Sequence, residues 1–129
     1  MKLKVVLAVS AIYLGVLGAG FMFAPRQIGI DAVPAEASPA LIAYLRILGG
    51  PFLGIAVLNW MARNAEPSAA RNAIVLANIV GFGSVTAMDL WGVFSGDARQ
   101  VAKLFLVIHL LMTAAFVVAG RASIRAQQS

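Results

Sequence analysis

Four apolar stretches, 5–24, 40–62, 72–94 and 104–120, hold only two of the ten basic and five acidic side chains in this sequence. The first three are 20, 23 and 23 residues long and the last is 17. An α-helix needs about 20 residues to cross a hydrocarbon layer ~30 Å thick. None of the stretches alternates polar and apolar residues with a period of two, so membrane strands fit poorly. In lipid the backbone must satisfy its own hydrogen bonds, which makes each stretch a helix. The expected fold is therefore all-α. It is an integral membrane bundle of four antiparallel transmembrane helices, in one transmembrane domain over residues 1–129.

Composition narrows the chemistry. Charged residues make up 12% of the chain and hydrophobic ones 61%, against about a quarter charged in an ordinary soluble domain. So apolar a chain cannot stay disordered in water, and its length excludes two independent soluble cores. The sequence has no cysteine, which removes disulfides, thiolate metal sites and cysteine nucleophiles together. Its single histidine, His109, removes bis-histidine haem and most zinc chemistry. No metal and no cofactor are expected. The net charge of +5 comes from basic residues beside the apolar stretches, which fits membrane lipids as partners and gives no reason to invoke nucleic acid.

The links between spans are short, as an up-and-down bundle requires. Pro25, Pro34 and Pro39 break the first, Glu66-Pro67-Ser68 turns the second with Ser68 as N-cap, and Ser95-Gly96-Asp97 closes the third span. Lys2 and Lys4 before an apolar run have the look of a signal peptide. The run continues to Ala24, however, and Met22-Phe23-Ala24 is a poor cleavage site, so the stretch is expected to stay as the first span. The tail from Arg121 is polar and reads as irregular. The N-terminus, second link and tail hold six basic residues (Lys2, Lys4, Arg63, Arg71, Arg121, Arg125); the first and third links hold three (Arg26, Arg99, Lys103). The positive-inside rule then puts both termini in the cytoplasm of a bacterial inner membrane. Trp60, Trp91 and Tyr44 lie near span ends, where interfacial aromatics sit.

Arg46, Asp89 and His109 are the titratable groups inside the spans. Each lies five or six residues from the span end on the same, outer, side of the membrane, a depth of ~8–9 Å. A lone charge in hydrocarbon costs about 2.5–3.5 kcal/mol on insertion scales, so an Arg46–Asp89 pair, with His109 donating or accepting beside it, is the economical arrangement. The intramembrane cluster Arg46, Asp89, His109 reads either as glue between three helices or as a site for a ligand, a proton or a quinone. A third reading has Arg46 reach the outer headgroups alone, along its own stem. Asn59 and Asn78 are expected to make interhelical polar contacts, Asn78 sharing a face with Asp89. Gly49, Gly50 and Pro51 are expected to kink the second span. Small residues recur every four positions at Ala11, Gly15 and Ala19 and at Gly50 and Gly54, faces that let helices approach closely.

The segment Leu45-Arg46-Ile47-Leu48-Gly49-Gly50-Pro51-Phe52-Leu53-Gly54, with Asn59 to Arg63 and the basic turn after it, resembles the second span of DoxX-like bacterial membrane proteins. More specifically, it resembles a four-span branch of uncharacterised function and about this length. The resemblance runs from Tyr13 to Gly120 and implies the four-helix fold, with Arg46 as the polar residue carried over. Some DoxX-like proteins are linked to quinone-dependent sulfur oxidation or partner redox enzymes; the thiols of a redox role are absent here. The function expected is that of a small non-catalytic membrane protein, an accessory or assembly subunit of an inner-membrane complex or a homo-oligomer. Two alternatives stay open: a quinone- or lipid-binding redox partner using Arg46, Asp89 and His109, and a small proton-coupled transporter.

Overall fold

The computed structural model describes residues 2–128, with side chains for residues 2–123, so the Arg125 side chain lies outside it. The described residues are helical with no strand. The elements are α1 (Leu3–Phe23), α2 (Pro25–Ile28), α3 (Pro39–Ala62), α4 (Ala69–Ser95) and α5 (Ala102–Gln128). The helices α1, α3 and α4, and α5 over Ala102–Ser123, are long and apolar enough to cross a membrane. The chain is a multi-pass membrane protein.

The helix ends follow from local chemistry. Ser38 caps α3, its hydroxyl accepting from the Leu41 amide at 3.2 Å, and Pro39 supplies the first helical residue, where no amide is missed. Ser68 caps α4 in the same way, accepting from the Arg71 amide at 3.2 Å. Gly96 ends α4 with φ +82°, a left-handed conformation that glycine adopts without strain. The prolines of the first link do break it, yet Pro25 also starts the short α2, since proline suits a first helical position. The loop after it is held by Arg26, whose Nη1 donates to the Pro34 and Ala35 carbonyls at 3.1 and 2.9 Å. The tail departs from the sequence reading: α5 continues in regular helix to Gln128. Nothing after Gly120 breaks a helix, and alanine, arginine and glutamine favour one. Pro51 leaves α3 unbroken.

Two compact units divide the chain: Ala8–Met61, and Met1–Leu7 with Ala62–Ser129. In the first, α1 and α3 run antiparallel. Phe21 stacks on Phe52 with ring centroids 5.6 Å apart, and further along Ser10 meets Asn59. Between these pairs the helices almost touch. A Cβ on Gly18 would lie 2.9 Å from the Gly49 carbonyl oxygen and 2.8 Å from Leu53, and one on Gly49 would collide with Met22. Gly15 faces Ala56 at ordinary contact distance. The closest approach in this unit is thus made by Gly18 and Gly49. Gly50 and Gly54, whose small face could serve a contact within the bundle or with another subunit, face away from α1: a Cβ on either meets nothing within 4 Å. One residue turns a helix by 100°, and that step decides which of two adjacent glycines is used.

In the second unit, α4 and α5 form an antiparallel hairpin. Val75 lies against Gly120, Phe82 stacks on Phe116 at 5.8 Å, Thr86 meets Thr113, and Asp89 meets His109. The buried face of α4 carries Val75, Asn78, Phe82 and Thr86 at helical spacing. On α5 the matching residues are His109, Met112, Phe116 and Ala119.

Candidate functional site

Asp89 and His109 come together within the α4–α5 hairpin. The His109 Nδ1 and the Asp89 Oδ2 are 2.6 Å apart, with side-chain exposures of 11% and 20%. Asp89 precedes the end of α4 by six residues and His109 follows the start of α5 by seven, so both stand ~9–10 Å inside the hairpin. The separation is that of a charge-assisted hydrogen bond. One proton bridges Nδ1 and the carboxyl oxygen, which fixes the ring's orientation.

Aromatic residues wall the pair. The rings of Phe82 and Phe105 each lie 6.1 Å from the imidazole, Phe105 nearly parallel to it at 21° and Phe82 tilted at 41°. The Arg99 guanidinium sits 5.5 Å from the centroid of Phe105, on the side of the connecting loop. That loop folds back onto α4, the Ala98 amide donating to the Gly92 carbonyl at 2.9 Å. Gly92 lets the loop approach closely, since a Cβ there would lie 3.2 Å from the Ala98 methyl.

One turn deeper lies a second polar layer. Thr86 and Thr113 place their hydroxyls 3.3 Å apart. Each also bonds the carbonyl one turn earlier in its own helix: Thr86 donates to Phe82 at 2.7 Å and Thr113 to His109 at 2.8 Å. The His109 backbone and side chain are therefore both held, the first by Thr113 and the second by Asp89. Such a dyad can keep one proton between a carboxylate and an imidazole in a setting of low polarity, and it resists rotation of either group. Among the described residues no three His, Cys, Asp or Glu side chains gather as metal ligands would.

Arg46, the remaining member of the expected cluster, stands on α3 in the other unit, with its side chain exposed. Asn59, fully buried on α3, donates its Nδ2 to the Ser10 hydroxyl of α1 at 3.0 Å. Asn78, buried on the same face of α4 as Thr86, donates to the Ile74 carbonyl at 2.8 Å. Ser10, Thr86, Phe105 and Thr113 gave no signal in the sequence, and Arg99, counted only as a basic link residue, gave none of its place over Phe105. Three of them were within reach of helical spacing: Thr86 precedes Asp89 by three residues, Thr113 follows His109 by four, and Phe105 precedes it by four. Hydroxyls and an aromatic ring gave no signal in an apolar chain because none of them costs much to bury.

No family model, curated protein or solved structure matches this chain. The functional reading rests on its own geometry.

Proposed function

We propose that this chain is a non-catalytic membrane subunit of the bacterial inner membrane, which assembles through one face of α3 with a second copy or with another subunit of a larger complex. The observation that carries this reading is the position of Gly50 and Gly54. With Ile47, Leu58 and Met61 they form a single exposed stripe, opposite the Gly49 and Ala56 face that packs on α1. A glycine inside a helix costs about 1 kcal/mol relative to alanine. Gly18 and Gly49 return that cost through close contact, whereas Gly50 and Gly54 have no neighbour to a Cβ within 4 Å. Two adjacent turns without side chains, bordered by Ile47 at 70% and Met61 at 70% exposure, make a shallow trough that a second helix fills. The resemblance of segment 45–54 to DoxX-like proteins, some of which partner other enzymes, is in keeping with a subunit role.

Gly54→Leu tests this reading, because it fills the trough without touching α1. Association measured by sedimentation in detergent, or by co-purification from the native membrane, is expected to weaken at least tenfold, about 1.4 kcal/mol, with helicity unchanged. Unaltered association would refute the α3 interface. A second reading, a quinone-binding redox partner, draws on the Asp89–His109 pair and the two phenyl rings beside its imidazole. It expects a quinone in solvent extracts of the wild type that His109→Phe removes.

A further inference from the structure

Beside the first turns of α4 and the stretch of α5 from Val117 to Arg121, the hairpin opens into a groove of about 460 Å³, within the roughly 300–1,000 Å³ of typical ligand sites. Val75, Leu76, Ile79 and Val117 form its apolar walls, and Asn72 and Arg121 stand at its mouth. From Asn72 to Ile79 it runs seven residues along α4, ~10 Å. One leaflet of a hydrocarbon core is about 15 Å deep, so the groove follows the upper two-thirds of a single acyl chain. Gly120 lines it too, packed tightly on α4: a Cβ there would lie 2.8 Å from Val75.

We propose that this groove seats an acyl chain of an anionic phospholipid whose phosphate is held by Arg121 and Asn72. The charges at this end of the hairpin select that headgroup. Arg121 lines the groove and Arg71 bonds Ser123 two residues further along α5, the link from Arg63 to Arg71 holds Glu66 as its one acid, and the amino end of α4 adds the positive pole of its dipole. Arg71 is already committed to the fold. Its Nη1 donates to the Ala65 carbonyl at 2.8 Å and its Nη2 to the Ser123 hydroxyl at 2.6 Å, closing the end of the hairpin. Arg121 is exposed beside the groove and supplies the charge for the ligand. It also belongs to the basic set that the positive-inside count assigns to the cytoplasmic face, whose leaflet is the anionic one.

The test is native mass spectrometry of the purified full chain in mild detergent, with phosphatidylglycerol and phosphatidylcholine of identical acyl chains offered in equal amounts. Phosphatidylglycerol adducts are expected to predominate in the wild type. Arg121→Gln should lower that preference about fivefold, the equivalent of the ~1 kcal/mol that one basic residue contributes at an anionic surface, and Arg121→Lys should restore most of it. Ala73→Trp places a ring in the groove from an exposed position on α4 and should reduce adducts of both lipids, with helicity by circular dichroism unchanged. Equal retention of the two lipids by the wild type would overturn the proposal, as would a preference that survives Arg121→Gln.

Discussion

Removing either member of the Asp89–His109 pair strands the other about two turns inside a helical hairpin, and the size of that effect follows from the geometry. Hydrogen bonds between neutral polar groups across membrane helices average about 0.6 kcal/mol and reach about 1.7, because the separated helices find other partners. A charge-assisted bond is worth about 1.5–3 kcal/mol. At 2.6 Å the Nδ1–Oδ2 contact belongs to the second class, but Asp89 keeps a fifth of its side chain exposed, which moderates it. A coupling of about 1.5–2.5 kcal/mol is expected from a double-mutant cycle of Asp89→Leu, His109→Leu and both together. The single changes should differ. His109→Leu leaves a carboxylate alone in the hairpin, at about 2–3 kcal/mol. Asp89→Leu leaves an imidazole that can remain uncharged and should cost less. Asp89→Asn keeps an acceptor for Nδ1–H and should cost about 1 kcal/mol. Unfolding by steric trapping in bicelles, read at several trap affinities, supplies the free energies. A coupling under about 0.5 kcal/mol, the range in which independent sites add, would refute the argument that this bond holds the hairpin.

Gly49→Val should destabilise the α1–α3 pair by about 1–3 kcal/mol through overpacking against Gly18 and Met22, while Gly54→Ala should be neutral or stabilising by up to about 1 kcal/mol; equal effects would show that the two glycines do not face differently. Fusions of a reporter active only outside the cytoplasm should give signal in the links around Asp31 and Asp97 and none after Ser129, since six basic residues flank the other side against three. An active fusion at the C-terminus would reverse the orientation.

The spans were legible because hydrophobicity along a chain is a one-dimensional property, and four runs of apolar residues between charges leave a helix-forming backbone little choice. The rotation of each helix was harder to read. Gly49 and Gly50 are neighbours in sequence, equally small, and belong to opposite faces of α3; only the position of α1 against it tells them apart. The three prolines exclude a continuous helix from Pro25 to Pro39, and residue types alone do not show that the first of them starts the four-residue α2. The sequence reading grouped Asp89 and His109 by depth alone. Depth is the coordinate that residue counting supplies, and it ranked Arg46 with them without saying which helix faces which. The threonine layer beneath the pair was invisible for the opposite reason, since hydroxyls that bond their own helix need no partner and so raise no question.

The pairing of Asp89 with His109 also bears on how the protein enters the membrane. An aspartate raises the cost of inserting its own helix by about 2.5–3.5 kcal/mol near the centre and by less toward an end. For α4, the group that offsets this cost is synthesised only 20 residues later, on the far side of a loop from Gly96 to Val101. During synthesis α4 therefore gains its full stability in lipid only when α5 has emerged beside it. The two helices thus form an insertion unit, entering as a hairpin with the dyad as its clasp.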